Sequence, residues 1–251
     1  MKILQINVWQ GRLLRPLLNL IERVDPDIIF TQEIYSYPAP ITIDSPWNYF
    51  GTLELIASRN HFEHVYFSPA STFPMFGREL GYGNAILSKY KPVRSSTHYT
   101  GGSGPVHHDA PTTFDGNKGR NFQHLTVIIG NLEINLINHH GHWVNQPLGD
   151  ELSKARLQVV AEYIRRLPGP VIMGGDLNLL PSSPAMLAFQ KSIGLRDLVA
   201  TTKTHSTLSA AHYAGGIVCD YIFTSPSLAT GNIEVLDNLV SDHKAILAEI
   251  N

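Results

Sequence analysis

From residue 2 onward the chain alternates between short apolar runs and helical stripes. The stretch "KILQINV" over 2–8 reads as a buried strand, and Leu14, Leu17, Leu18, Ile21 and Val24 then recur at helical spacing. Pro16 fits that helix only in its first turn, where no intrahelical amide bond is lost, so the helix is expected to start near residue 15. "VDPDIIFTQE" closes it and opens a second strand that reaches Glu33. The plan returns in the second half: "LEINLINHH" as a strand, a helix face at Leu152, Ala155, Val159, Tyr163, Ile164 and Leu167, then "PGPVIMGGD" as a strand ending at Asp176. Two strand-helix-strand units therefore each finish on a carboxylate.

"NAILSKY", "QHLTVIIG", "GGIVCDYIFTS" and "SDHKAILAEI" read as further strands. No polar or Pro/Gly-rich stretch longer than a loop interrupts them, so one α/β domain over residues 1–251 is expected, with two sheets face to face and helices outside. Segments 35–80, 96–120 and 199–216 are least like regular structure. The middle one, "HYTGGSGPVHHDAPTTFDGNKG", has the Gly, Thr and His content of an exposed loop.

Composition narrows the function classes. The 43% hydrophobic content supplies a sizeable core, while 19 Lys+Arg and a net charge of −2 offer no broad cationic face for duplex nucleic acid. A single cysteine, Cys219, excludes an intrachain disulfide framework and a thiolate zinc cluster, and suits a reducing compartment; cytoplasm is the expectation. No run approaches the roughly 20 apolar residues of a spanning helix, so stable membrane insertion is not expected.

The informative residues are polar ones stranded at the ends of apolar runs: Asn7, Glu33, His140, Asp176, Asn178, Asp220, Asp242 and His243. A buried, unpaired carboxylate is costly, so such a set needs partners. A hard divalent cation partners several at once: Glu33 and Asp242 offer carboxylate oxygens and Asn7 a carboxamide oxygen, which suits Mg2+ or Mn2+. Each residue also has a bland reading: Asn7 as a turn former, Glu33 as a solvated strand end, Asp220 in a structural salt bridge, "SDH" as a loop cap. Gly174 and Gly175 remove side chains where something must come close. The expected visitor is substrate, with Asp176 and Asn178 sharing one face of the strand end.

"INVW", "TQE", "GNAILS", "LINHHGH", "GGDLN", "CDYIF" and "SDH" occur over residues 6–243 in an order that resembles the endonuclease/exonuclease/phosphatase superfamily. The resemblance implies a deoxyribonuclease I-like four-layer α/β sandwich of two packed mixed β-sheets flanked by helices. It also implies Mg2+-dependent hydrolysis of a phosphoester, in the first instance a phosphodiester, by an activated water. Glu33 then resembles the principal metal ligand, with Asn7 and Asp242 beside it. Asp176 resembles the group that orients the water, helped by Asn178; His243 paired with Asp220, and His140, resemble the phosphate-contacting histidines. Two positions depart from the family pattern. His139 stands where the family has Thr, and alternation with Ile137 and Asn138 favours His140 as the inward ring. Gly83 stands where some members carry a carboxylate that supports the first histidine.

Rival readings make different demands. A zinc hydrolase built on His140-x-His142 with "HHD" at 107–109 would need an Asp-His pair where Val144 and Asn145 stand. A non-catalytic binding module would have lost the eight polar residues. A DNA repair-type endo- or exonuclease should track nucleic acid with loop cations and aromatics, for which Arg12, Arg15, Arg59, Arg78, Lys118 and Arg120 with Trp9, Tyr82 and Trp143 are candidates, solvated surface being their expected role. A lipid hydrolase would use an apolar hairpin such as "TFPMF" at 72–76.

Overall fold

A computed structural model describes residues 1–109, 119–212 and 215–251. Its first sheet contains β1 (Lys2–Asn7), β2 (Ile28–Ser36), β3 (His64–Met75), β4 (Arg78–Ser88), β6 (Val106–His107), β12 (Thr230–Leu236) and β13 (Ala245–Ile250), in the order β12-β13-β1-β2-β4-β3-β6. The second contains β5 (Pro92–Tyr99), β7 (Asn121–Ile129), β8 (Leu132–His140), β9 (Val171–Asp176), β10 (Arg196–Asp197) and β11 (Asp220–Thr224), in the order β10-β11-β9-β8-β7-β5. Both sheets are mixed. The parallel pairs β1/β2 and β8/β9 are joined through helices α1 (Leu14–Val24) and α3 (Glu151–Ile164), the two repeated units seen in the hydrophobic pattern.

Three apolar interfaces make the four layers. Leu14, Leu17, Leu18 and Ile21 of α1 pack on Leu4, Ile6, Ile29 and Leu87 of the first sheet. Ile3, Ile28, Phe30 and Ile86 meet Leu125, Leu136, Ile172 and Ile222 between the sheets. Leu157 and Val160 of α3, with Met186 and Phe189 of α4 (Pro184–Ile193), cover Ile137, Met173 and Tyr221 on the outer face of the second sheet. Each such side chain, fully buried, contributes about 1.5–3 kcal/mol. The helix starts follow from local chemistry: Pro16 lies in the first turn of α1, Asp150 and Ser153 form a capping box on α3, and Ser183 caps α4 just before Pro184.

A row of buried carboxamides crosses the otherwise apolar interface. Gln5 Nε2 donates to Gln32 Oε1 at 2.6 Å, Gln32 Nε2 to Asn138 Oδ1 at 2.6 Å, and Asn138 Nδ2 to Gln123 Oε1 at 2.9 Å. Asn138 Nδ2 also lies 3.0 Å from the carbonyl oxygens of Thr31 and of Ala85. These bonds tie β1 and β2 to β8 and β7 one residue before Glu33 in β2 and before His139–His140 at the end of β8, which sets the relative position of the two sheets where it matters for the site.

The segment 35–80 departs from its expectation of irregular chain. It holds α2 (Thr52–Arg59) and the twelve-residue β3, paired along β4 from His64↔Ser88 to Met75↔Arg78. Two prolines, Pro69 and Pro74, and a register shift between Pro69 and Ser71 disguise the strand's alternation, and α2 is too short for a clear helical stripe. Segment 96–120 likewise begins inside β5 and contains β6; its residues 110–118 lie outside the described residues. Segment 199–216 is irregular apart from a 3-10 turn at Val199–Thr201, with 213 and 214 outside the description.

Candidate active site

The parallel strands β1, β8 and β9 end at one rim of the sandwich, and antiparallel β11 begins there with Asp220 opposite Asp176. β2 passes the rim at Glu33 and, unlike the expected strand that finishes on this carboxylate, runs on to Ser36 along β4. Asn7, Glu33, His140, Asp176 and Asp220 therefore gather at that rim. Residues 241–243, just before β13, add Asp242 and His243. All eight sequence-selected residues are brought together around one cleft of about 310 Å³, lined by Glu33, His140, Asp176, Asn178, Asp242 and His243, with Asn7 and Asp220 bonded behind them.

Glu33 reaches the cleft through a β-bulge. Thr31 pairs with Ala85 and Ile34 with Gly83, so Gln32 and Glu33 together face Asn84. Glu33 takes a left-handed backbone with φ of 55°, an uncommon conformation for a side-chain-bearing residue, and the extra residue re-aims its carboxylate off the sheet. Tyr82 is buried beside it, and its phenol is pushed well up by burial first and then by the Glu33 carboxylate, to which its hydroxyl is hydrogen-bonded.

Asp176 sits at the centre. Its Oδ2 accepts from Asn7 Nδ2 at 3.0 Å, and its Oδ1 accepts from the Asn178 backbone N–H at 3.0 Å. His140 Nε2 and His243 Nε2 stand 3.6 Å and 3.7 Å from the same Oδ2. Burial raises the Asp176 carboxyl to about 7; His243 and the Asn7 bond pull against that shift and Asp220 adds to it. Asn178 is not on the strand face shared by Asp176. It follows the strand end with φ of 56°, turns its backbone N–H back onto Asp176 and sends Nδ2 to the Gly141 carbonyl at 3.4 Å. The two side chains meet the same cleft through a turn rather than through alternation.

The paired glycines also serve another purpose than the one expected. A Cβ on Gly174 would lie 2.4 Å from the Phe30 ring across the sheet interface, and one on Gly175 would lie 2.1 Å from the His139 carbonyl oxygen. Opposing sheet and neighbouring strand, not substrate, make the close approach.

The two cleft histidines are supported differently. His243 Nδ1 is 2.9 Å from Asp220 Oδ2; burial pulls the ring's pKa down, but Asp220 and Asp176 together outweigh it and hold the imidazolium well above its ordinary range. His140 Nδ1 instead meets Arg120 Nη1 at 2.5 Å, and burial, then Arg120, then the neighbouring rings hold it well below its ordinary value. His139 points away from the cleft: it is fully buried, with Nδ1 3.0 Å from the Asn121 carbonyl and its ring edge-on to Phe122.

Glu33 and Asp242 both line the cleft with carboxylates, and Asn7 lies behind it, its Nδ2 donating to Asp176 and its Oδ1 accepting from the Trp9 N–H at 3.1 Å. Asp242 is raised to about 6, chiefly by burial, with Glu33 adding like-charge repulsion against the opposing pull of His243. Hard oxygen donors with unrelieved negative charge fit a magnesium-type divalent cation. Potential ligand atoms of Asp176, Cys219, Asp220 and His243 also lie within 4.8 Å of one another, as do those of His212, Asp242 and His243. The first of these groups is already tied together by hydrogen bonds from His243 and Cys219 to Asp220.

Among the described residues, four titratable side chains of the cleft were not singled out for it by the sequence pattern: Arg120, Tyr82, His212 and Cys219. Arg120 and Tyr82, expected at the surface, are 4% and 2% exposed. Arg120 immediately precedes β7, which runs antiparallel to β8, so the strand-end logic that picked out His140 also reaches it. Other loop cations already have partners: Arg12 lies over Trp9 at 4.9 Å, Arg15 pairs with Asp44 and Arg59 with Glu22, while Lys118 is outside the described residues. The histidine-rich zinc arrangement is not assembled. His142 turns to Arg156 and Asp150, and His107 and His108 bond the hydroxyls of Thr72 and Ser71. Among the described residues no helix is long and apolar enough to cross a membrane.

The two packed sheets, their flanking helices and the cleft at one rim define the fold class, and comparison with known proteins places the chain in a family. Residues 4–243 match the model of the Endonuclease/Exonuclease/phosphatase family, and the chain belongs to that family. An endonuclease/exonuclease/phosphatase family protein from Leptotrichia buccalis C-1013-b superposes with a TM-score of 0.73 at 19% identity, covering 100% of this chain and 99% of that one. The Bacteroides thetaiotaomicron VPI-5482 mannosyl-6-phosphatase Bt3783 superposes with a TM-score of 0.72 at 16% identity over 100% and 99%. In sequence, UPF0294 protein YE0917 of Yersinia enterocolitica is 30% identical over 110 residues, which is 43% of this chain and 40% of that protein, so the match spans well under two thirds of the relative's length.

Proposed function

We propose that the protein is a Mg2+-dependent hydrolase of phosphoesters, in the first instance a phosphodiesterase, with Mn2+ as an alternative ion. The observation that carries the reading is the environment of Asp176: one carboxylate gripped by Asn7 and by the Asn178 backbone, faced by two imidazoles, with Glu33 and Asp242 across the cleft. Glu33, Asp242 and the Asn7 carboxamide would hold the divalent ion. When bound, that ion supplies positive charge to the nonbridging oxygens of the phosphate.

The remaining roles belong to side chains. Asp176 orients the attacking water and takes its proton, and its hydrogen bonds fix which lone pair faces the nucleophile. Asn178 closes the turn that keeps Asp176 in place and presents its carboxamide at the cleft wall. His243, with Asp220 accepting from Nδ1, presents Nε2–H to the phosphate as a cationic donor; His140 presents the second donor from the opposite sheet. Such fixed donors around developing charge are the main source of rate enhancement for an anionic ester.

The test is a panel of phosphoesters assayed with and without chelator: a chromogenic phosphodiester, a phosphomonoester, nicked and abasic DNA, RNA, sphingomyelin and inositol phosphates. Activity that EDTA abolishes and Mg2+ restores is expected on at least one of them. Glu33→Ala and Asp176→Ala should each lower kcat on the order of 10²-fold or more, as loss of a transition-state group typically does. A folded Asp176→Ala variant with near-normal turnover removes Asp176 from its role, and inactivity of the wild type across the panel favours a non-catalytic binding module.

A further inference from the structure

The position that Gly83 leaves without a side chain directs attention to what lies behind His140. A Cβ on Gly83 would sit 2.1 Å from the Ser68 carbonyl oxygen and 2.8 Å from the Ala70 amide nitrogen, because β3 bulges against β4 at that point. No carboxylate can reach the ring from there. The group that does reach it is a cation. Arg120 is 4% exposed, and its Nη1 is 2.5 Å from His140 Nδ1. Its backbone is clamped as well: the Arg120 carbonyl accepts from the Thr100 N–H at 2.9 Å and the Thr100 hydroxyl at 3.1 Å. Glu33 and Asp176 face the guanidinium and offset the cost of burying its charge.

Donor chemistry then dictates the state of the ring. A guanidinium only donates, so the Nδ1 it meets must carry a lone pair. The single proton of the neutral imidazole is left on Nε2, which lies 3.6 Å from Asp176 Oδ2 and 3.8 Å from Glu33 Oε1, on the cleft side. A carboxylate in the same place would select the opposite tautomer, with the proton on Nδ1.

We propose that Arg120 is a positioning residue of this site: through its hydrogen bond to Nδ1 it fixes His140 as a neutral Nε2–H donor aimed into the cleft, where the phosphate's nonbridging oxygens would lie. The assignment of the phosphate rests on the proposed hydrolase reading; the tautomer does not.

The experiment uses metal-free protein labelled with ¹⁵N-histidine and long-range ¹H–¹⁵N correlation spectra, with His140 assigned by its loss in His140→Gln. The wild type should show His140 with an unprotonated Nδ1 and a protonated Nε2. Arg120→Met should move those signals toward the other tautomer and lower kcat about 10- to 100-fold, the usual effect of removing a partner that orients an active-site ligand. Arg120→Lys, which still donates, should keep the wild-type pattern and recover most of the rate. Where Arg120→Met does not fold, the wild-type spectrum decides, and a protonated Nδ1 there overturns the proposal. An unchanged spectrum in folded Arg120→Met does the same. Shifted signals with unchanged kcat overturn the positioning role and leave the hydrolase reading intact. A wild type with the expected tautomer but no phosphoester activity refutes that reading and leaves Arg120's action on the ring standing.

Discussion

His243 and His140 approach the same oxygen of Asp176 from different sheets and at nearly equal distances, yet their supports have opposite charge. His243 leans on a carboxylate, His140 on a guanidinium. An anion behind an imidazole selects the Nδ1–H form and favours the cation; a cation behind it selects the Nε2–H form and keeps the ring neutral. One site thus holds a charged and an uncharged donor of the same residue type. Two imidazolium rings side by side would repel each other, and with opposite supports both rings can point an N–H at one anion without that cost.

The largest effect should come from the side that carries charge. Asp220 has one oxygen committed to His243, while its Oδ1 is buried without a hydrogen-bond partner among the described residues. The committed oxygen, Oδ2, is shared only with the longer contact from the Cys219 thiol at 3.5 Å, so the ring is its nearer partner. Asp220→Asn keeps the shape but offers an amide N–H that competes for Nδ1 and removes the charge that favours imidazolium. We expect kcat to fall on the order of 10³-fold, with the fold retained, since losing the carboxylate that orients a catalytic imidazole has costs of that size. Steady-state rates on the best substrate of the panel, beside a circular-dichroism melt, check it. A loss of less than about threefold would mean that Asp220 is a structural anion and that the contrast between the rings has no chemical consequence.

A second test breaks the contrast by disturbing the alignment of the sheets. The Gln5–Gln32–Asn138–Gln123 row bonds the sheet that contributes Glu33 and His243 to the sheet that contributes His140 and Asp176. Asn138 is fully buried: its Oδ1 accepts from Gln32 Nε2, and the two hydrogens of its Nδ2 face three acceptors, Gln123 Oε1 and the Thr31 and Ala85 carbonyls. Asn138→Leu would take the amide donor from Gln123 Oε1 and the Thr31 carbonyl and the acceptor from Gln32, while the Ala85 carbonyl keeps the Thr31 hydroxyl and Gln32 Nε2 keeps Gln5 Oε1. The cost is about 1–3 kcal/mol for each group left unsatisfied. A net loss of about 2–4 kcal/mol in urea-denaturation stability is expected, with kcat falling in the fraction that stays folded. Unchanged stability would show that the row is not what aligns the sheets.

How much of this was legible in the sequence follows from the range over which each feature acts. The strand-helix-strand units could be read directly, because α1 and α3 carry their periodicity within a dozen residues. The eight polar residues were legible because they interrupt or end apolar runs, and the rim gathers the strand-borne ones by three routes: the C-terminal ends of β1, β8 and β9, the bulge of β2 at Glu33 and the start of antiparallel β11 at Asp220. β3 was hidden by its prolines and bulge, and the glycines at 174 and 175 were assigned the wrong neighbour because Phe30 and the His139 backbone approach from strands far off in the chain. The supports of the histidines were only half visible. The pairing of Asp220 with His243 entered through family resemblance. Arg120 was visible as a cation beside a loop, but nothing local indicates that it is buried, since Gly119 and Arg120 pack against β3 and β8 through contacts set by the whole second sheet.

The smallest effect is the one that sharpens the comparison most. Asp220 and Arg120 touch different rings and share no hydrogen-bond partner among the described residues, but both rings face Asp176 Oδ2. If each support acts only on its own ring, the losses in Asp220→Asn and Arg120→Met should multiply in the double variant, with a coupling below about 1 kcal/mol from the carboxylate between them. Coupling well above that, with the double variant no worse than Asp220→Asn alone, would mean that the two imidazoles work as one unit in the transition state, as groups do when either loss disables the same step. The charged ring would then depend on the neutral one to place the phosphate before its own charge is of use. Rates for the four proteins, measured on one substrate at saturating Mg2+, separate the two cases. The ¹⁵N spectra of the same four proteins would show whether removing the anion behind His243 changes the tautomer of His140, which independent supports leave untouched.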